Sequence, residues 1–340
     1  MKPNNPDKPV INLREVVAKG GGEALAKLLA TTGYIIQEGV LWDLVLAINA
    51  GLPHLIEGER GCGKTALAEA LAEACNIPMF CLQGMKGLKL ADALYSWDTE
   101  GQIQFVRQAV ASGLKLEEAR AQQWSLDYLV LGEALGAFAY AARTDTVPIL
   151  IIDEADKLED TIEDMLLQLL ARGFAHIPRF GEVGQKDPDG WPVVELLSND
   201  SGHDLSVPLR SRCVYTWMDP PSAREEIGIL RARVPEASPE AVRWVVKLLD
   251  SIRMIPGIQD KPALREGISI LSALMRERVR QIDESTLKKY ACLIVKRHGD
   301  RDYFLQSLAR VERDVNVAHD EIDVWVDQSF GVRGHLQAVA

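Results

Sequence analysis

Apolar residues in this chain follow two arrangements: short unbroken runs, and longer stretches in which they return every three or four positions. The first predicts strands covered on both faces, as in a parallel sheet; the second predicts the amphipathic helices that cover them. Runs at residues 52–56, 78–82, 147–152, 193–197 and 213–217 predict five strands. Helical spacing holds at 13–29, 41–50, 66–74, 116–142 and 158–170. Residues 98–101 read as a turn, 102–106 as a short strand, and 174–191 as a hairpin with two extended arms. After Asp219-Pro220-Pro221 strands cease. Helices follow at 222–233, 238–254, 262–279 and 284–297, with Ser238 as an N-cap before Pro239 at the first helical position. The predicted fold class is α/β: a three-layer αβα core with a five-stranded parallel sheet, followed by an all-α lid. The expected divisions are an arm and helix at 1–30, the αβα core at 31–218, the helical lid at 219–300 and a C-terminal helical extension at 301–340.

Candidate chemistry concentrates where these elements join. Gly58-Glu59-Arg60-Gly61-Cys62-Gly63-Lys64-Thr65 fits G-x-x-x-x-G-K-[ST], and it stands between an apolar run and the alanine-rich helix that Ala66 continues. Glycines let backbone N–H groups turn inward around phosphate oxygens, and the helix adds the positive end of its dipole. Lys64 can reach the outer phosphates and the Thr65 hydroxyl can ligate Mg²⁺, so the segment reads as a P-loop for a nucleotide triphosphate. The run 147–152 ends in Asp153-Glu154. Two adjacent acids at the C-terminal end of a central strand suit metal binding by Asp153 and activation of a water by Glu154. Asn199, at the end of the next predicted strand, is placed to hydrogen-bond that water, although Ser-Asn is also a common turn opener. Arg210 and Arg212 are candidates to neutralise phosphoryl charge, against a plain surface pair, and Arg265 is the lid cation expected to face the nucleotide. Tyr34 and Ile35 offer an apolar slot for a purine or ordinary core packing.

Composition removes several alternatives. The 340 residues carry a net charge of -11 and a pI near 5.2, so no overall positive field exists to hold nucleic acid. Cys62, Cys75, Cys81, Cys213 and Cys292 show neither paired nor metal-binding spacing, and residues 1–12 show no secretory leader. No apolar run approaches the ~20 residues of a membrane span. The expectation is a cytoplasmic protein without membrane or nucleic-acid partners. Cys62 is a candidate for oxidation that blocks ATP, or simply a small residue that the loop tolerates.

Taken in order, Lys64, Asp153-Glu154, Asn199, Arg212 and Arg265 resemble the AAA+ ATPases, and within them the MoxR family. The resemblance covers roughly residues 31–274. Residues 82–84, 94–98 and 212–217 are similar to the branch associated with carbon monoxide dehydrogenase maturation, except that Ser211 separates Arg210 from Arg212. What the resemblance implies is Asn199 as sensor one, Arg212 or Arg210 as the finger acting on a neighbouring subunit's ATP, and Arg265 as sensor two. It also implies a helix-two insert at 97–107 and a presensor hairpin at 174–192. Hexameric rings would remodel a protein client, such as a metalloenzyme receiving its cofactor, with a separate protein carrying a von Willebrand factor A domain. This chain has no D-x-S-x-S metal site of that kind. Two other readings remain open: a scaffold gated by ATP binding alone, and a DNA-directed motor of the clamp-loader type.

Overall fold

The computed structural model describes residues 7–144, 146–199, 205–317 and 320–331. Parts of the expected N-terminal arm and C-terminal extension fall outside these residues. The chain divides into two compact units, one holding residues up to Thr32 with Ile36–Gly58 and Lys64–Met218, the other Gly33–Ile35, Glu59–Gly63 and the chain from Asp219 onward.

In the first unit, α1 (Leu13–Ala30) starts where Asn12 Oδ1 accepts hydrogen bonds from the backbone N–H groups of Arg14 and Glu15. There follow α2 (Glu38–Ala50), β1 (His54–Gly58), α3 (Lys64–Cys75), β2 (Met79–Gln83), α4 (Leu90–Ala93) and β3 (Tyr95–Trp97). Next come α5 (Thr99–Ala111), α6 (Leu116–Gln122), β4 (Leu129–Leu131), α7 (Glu133–Thr144), β5 (Ile149–Asp153) and α8 (Asp160–Arg172). The unit closes with β6 (Phe174–Ile177), β7 (Gly181–Gly184), β8 (Val193–Asn199), α9 (Val207–Arg210) and β9 (Val214–Met218).

The five expected strands form one parallel sheet in the order β2-β5-β8-β1-β9. Ile149–Ile152 and Val193–Ser198 are buried throughout, which is why their sequence lacks polar alternation. One face, through Leu55, Phe80, Leu150, Ile152, Val194 and Leu196, packs with α7 and α8 in a single apolar cluster. The other face meets α2 and α3.

Three expectations change. Residues 102–106 lie within α5, because Asp98 accepts from Gly101 N–H and caps a helix where a turn was expected. The helical stretch expected at 116–142 is broken by β4, which pairs antiparallel with β3: Tyr95 faces Leu131 and Trp97 faces Leu129. In the hairpin, β6 and β7 turn at 178–180, so Asp187–Gly190 lies beyond the second arm in its own 3₁₀ turn. The segment from β3 to β4 and the hairpin meet through aromatic rings. Trp97 lies 5.0 Å from Trp124 and 6.2 Å from Phe180, centroid to centroid, and the Arg179 guanidinium sits 4.8 Å above Trp124.

Among the described residues the second unit is otherwise helical: α10 (Ala223–Arg233), α11 (Pro239–Arg253), α12 (Leu264–Glu277), α13 (Glu284–Ile294), α14 (His298–Gln306), α15 (Leu308–Asn316) and α16 (Glu321–Phe330). Val245, Leu249, Leu271, Phe304, Val311 and Val326 share its core. The α16 helix is also held by charge. Lys247, with a side chain only 2% exposed, pairs with Asp320 and Asp323 at 2.9 Å each, and Arg243 pairs with Asp323 and Asp327.

Candidate functional site

Parallel strands deliver their C-terminal ends to one edge of the sheet, where α/β folds place ligands. Here β1 ends at Gly58, β5 at Asp153 and β8 at Asn199, and the register sets Gly58 opposite Asn199 and Asp153 opposite Gln83. Lys64 opens α3, and its buried ammonium donates to Gly58 O at 2.8 Å. The lysine is thereby held across the mouth of its own loop. Thr65, the second residue of α3, and Asp153 supply hard oxygen donors of the kind that suit Mg²⁺.

The end of β5 is the most constrained point of this edge. Asp153 Oδ1 accepts from Glu154 N–H at 2.9 Å, and Glu154 then turns left-handed, with φ 51° and ψ 45°. That conformation costs an L-residue roughly 1–2 kcal/mol and marks sites where function overrides local preference. Its carboxylate Oε2 accepts from Lys157 Nζ at 2.6 Å and from Gln83 Nε2 at 3.1 Å. Gly84 N–H donates to Asp153 O at 2.7 Å, and a Cβ on Gly84 would lie 2.1 Å from Glu154 O. Only glycine lets the end of β2 come this close. On the neighbouring strand, Asn199 N–H donates to Oδ1 of the buried Asp156 at 3.2 Å, which ties the end of β8 to the turn after β5.

The two arginines that the sequence leaves equivalent differ in the structure. Arg210 lies against its own unit, with Nη2 3.7 Å from Glu57 Oε2 and its guanidinium 5.7 Å from the Tyr215 ring centre. Arg212 is exposed, and its Nη1 donates to Pro208 O at 2.7 Å.

In the second unit, the loop Glu59–Gly63 lies with Gly33–Ile35 and the helices from α10 onward. Tyr34 Oη donates to Gly63 O at 3.3 Å. Ile35 reaches Gly228 of α10, and a Cβ on Gly61 would meet the Ala263 Cβ at 2.7 Å. Ala263 is the N-cap of α12, so Arg265 stands, exposed, two positions along from a residue that touches the loop. Cys62 is half-buried there.

Gln83, Gly84 and Lys157 are the site-edge residues that the motif reading passes over. Gln83 directly follows the predicted strand 78–82, and the structure pairs it with Asp153; Lys157 is legible as the cation three positions beyond Glu154. No group of three or more His, Cys, Asp or Glu side chains suited to a metal occurs among the described residues, and no described helix is long and apolar enough to cross a membrane.

Residues 53–213 match the AAA domain of the dynein-related subfamily. The chain is 23% identical over 213 residues to the gas vesicle ATPase GvpN of Haloferax mediterranei, covering 61% of this chain and 58% of that protein. It is 22% identical over 213 residues to GvpN1 of Halobacterium salinarum, with the same coverage. With GvpN of Ancylobacter aquaticus it shares 26% over 229 residues, 66% of this chain and 60% of the relative. The chain thus spans less than two thirds of the length of the relatives it matches. Residues 53–213 thus match an AAA domain of the dynein-related type, in keeping with the parallel sheet and its surrounding helices, and the chain is similar to relatives that are named ATPases.

Proposed function

We propose that this chain hydrolyses Mg²⁺-ATP and uses the energy to remodel a protein client. The observation that carries the reading is the convergence of Lys64, Asp153, Glu154 and Asn199 on one edge of the parallel sheet. Lys64 binds the outer phosphates, and Thr65 with Asp153 holds the magnesium, which spreads the charge of the transferred phosphoryl group. Glu154 takes the proton of the attacking water, and Asn199 orients that water. The loop Gly58–Ala66 cradles the phosphates, with Glu59, Arg60, Gly61, Cys62 and Gly63 as backbone donors, and Tyr34 and Ile35 border the base.

Arg212 is the better finger of the pair. It is exposed for a neighbouring copy, whereas Arg210 is engaged with Glu57 and Tyr215. Arg265 serves as sensor two. A finger that acts between subunits requires a neighbouring copy, and the resemblance to the AAA+ ATPases favours a hexameric ring. The acidic balance favours a protein client in the cytoplasm over nucleic acid.

The resemblance of residues 82–84 and 212–217 to the carbon monoxide dehydrogenase branch favours a metalloenzyme client and a von Willebrand factor A partner. The gas vesicle names of the relatives favour a second reading, a role with gas vesicles.

Steady-state turnover separates these claims. Wild type should hydrolyse ATP only with Mg²⁺; Lys64→Ala should lose nucleotide binding; Glu154→Gln should bind ATP and stop. Mixing Arg212→Ala with Glu154→Gln subunits should restore turnover if the finger acts in trans. Full hydrolysis by Glu154→Gln would falsify the mechanism. If that variant, saturated with ATP, still supported the client, the scaffold reading would replace it.

A further inference from the structure

The carboxylate of Glu154 is held far more tightly than a lone base needs to be. Its backbone is left-handed, its carbonyl abuts Gly84, and its Oε2 receives two side-chain donors. Gln83 comes from β2, the neighbouring strand. Lys157 comes from the 3₁₀ turn after Glu154, closed by Lys157 N–H donating to Glu154 O at 2.9 Å.

Both donors take the same oxygen. That distinguishes an anchor from a block. A clamp that silenced the carboxylate would engage both oxygens, whereas donors gathered on Oε2 fix the plane of the group and present Oε1 to a water. The Lys157 contact, at 2.6 Å, is the shorter and the charge-assisted one, the stronger class of hydrogen bond. The pair is also partly exposed, with side chains 40% and 32% accessible, so its contribution to folding is small. Stability is therefore a poor explanation for it.

We propose that Lys157 is a positioning residue for hydrolysis: through Oε2 it orients the Glu154 carboxylate so that Oε1 meets the attacking water. The proposal rests on Glu154 acting as the base. It goes beyond that role by assigning the base's orienting partner to a specific cation three residues away. Lys157 touches neither nucleotide nor water in this scheme and acts only through Glu154. A base oriented by a third group is the logic of activated nucleophiles in general, and a misplacement of about 1 Å costs on the order of a hundredfold in rate.

The test uses the full chain with ATP and Mg²⁺. Lys157→Met keeps the length of the side chain and removes the donor. The expected result is a fall in kcat of roughly tenfold at unchanged KM and unchanged melting temperature, with Lys157→Arg recovering most of the rate. In a Glu154→Gln background, Lys157→Met should produce no further loss, because the two residues act as one unit. A Lys157→Met enzyme as fast as or faster than wild type overturns the proposal, as does a Lys157→Arg enzyme as slow as the methionine variant. The Glu154→Gln control keeps the two levels apart. If Glu154→Gln turns over normally, the base assignment itself fails. If it is inactive while Lys157→Met is normal, only the role of Lys157 falls.

Discussion

Two glutamates near the middle of the sheet receive opposite treatment. Glu154, just past the end of β5, is partly exposed and strained in its backbone, and its side chain is bonded by Gln83 and Lys157. Glu195, inside β8, is fully buried, and neither of its carboxylate oxygens has a hydrogen-bond partner among the described residues. Its register neighbours are Ile151 of β5 and His54 of β1. Burial pushes the Glu195 carboxyl up to about 8, so at neutral pH it is mostly protonated. His54 is buried as well and is pushed down to about 4, with Asp43 opposing the shift. Its Nε2 lies 2.7 Å from Thr216 Oγ1, which donates to Asp43 Oδ2, while its Nδ1 has no hydrogen-bond partner among the described residues. The contrast teaches where this fold invests its polar contacts. At the edge they hold a carboxylate in place; in the interior an acid is carried at the expense of stability.

The largest expected effect is at the edge. Glu154→Gln should lower kcat by roughly 10²–10³-fold with ATP affinity retained, measured by single-turnover hydrolysis and nucleotide titration. Gly84→Ala comes next. Its methyl group would collide with the Glu154 carbonyl, so the backbone of Glu154 must shift; kcat should drop at least about tenfold, with a stability loss of about 1–3 kcal/mol seen in denaturant melts.

The interior behaves in the reverse sense. Glu195→Met replaces an unpartnered carboxyl by an apolar chain of similar volume, so the melting temperature should rise by a few degrees while kcat stays put. Its pH dependence has a definite sign. Because the folded carboxyl titrates above its unfolded value of 4.5, the wild-type protein is favoured below that value and loses stability as pH rises toward about 8. The melting-temperature gap between Glu195→Met and wild type should therefore widen from pH 5 to pH 8. A gap that narrows over that range would refute the buried-acid picture.

The smallest effect concerns His54, whose folded value lies below its unfolded 6.5. Its contribution is present above 6.5 and is lost as pH falls toward 4, so His54→Gln should flatten the acid side of the wild-type stability curve slightly.

How far the chain could be read in advance varies along the same line. β5 is legible because an aliphatic run ending in two acids has few other homes, and the phosphate loop is legible because its glycines and its helix stand in fixed order. The helix at 99–111 is not, because its inner half reads as a strand until the Asp98 cap is recognised. Arg210 and Arg212 cannot be told apart along the chain, since what separates them is Glu57 and Tyr215, residues brought in by tertiary structure. Nor does spacing reveal that Glu195 sits in an apolar interior without a partner. That fact belongs to the neighbouring strands.

The ion pairs that fasten α16 have a consequence for biosynthesis. Lys247 is nearly sealed from solvent, yet the carboxylates that neutralise it, Asp320 and Asp323, are encoded more than seventy residues later, and Val326 completes the same apolar cluster. At a translation speed of about 5–20 residues per second, the nascent helical unit waits several seconds with an unneutralised ammonium where its interior should close. Chaperone capture is to be expected during that interval, before α16 emerges from the ribosome.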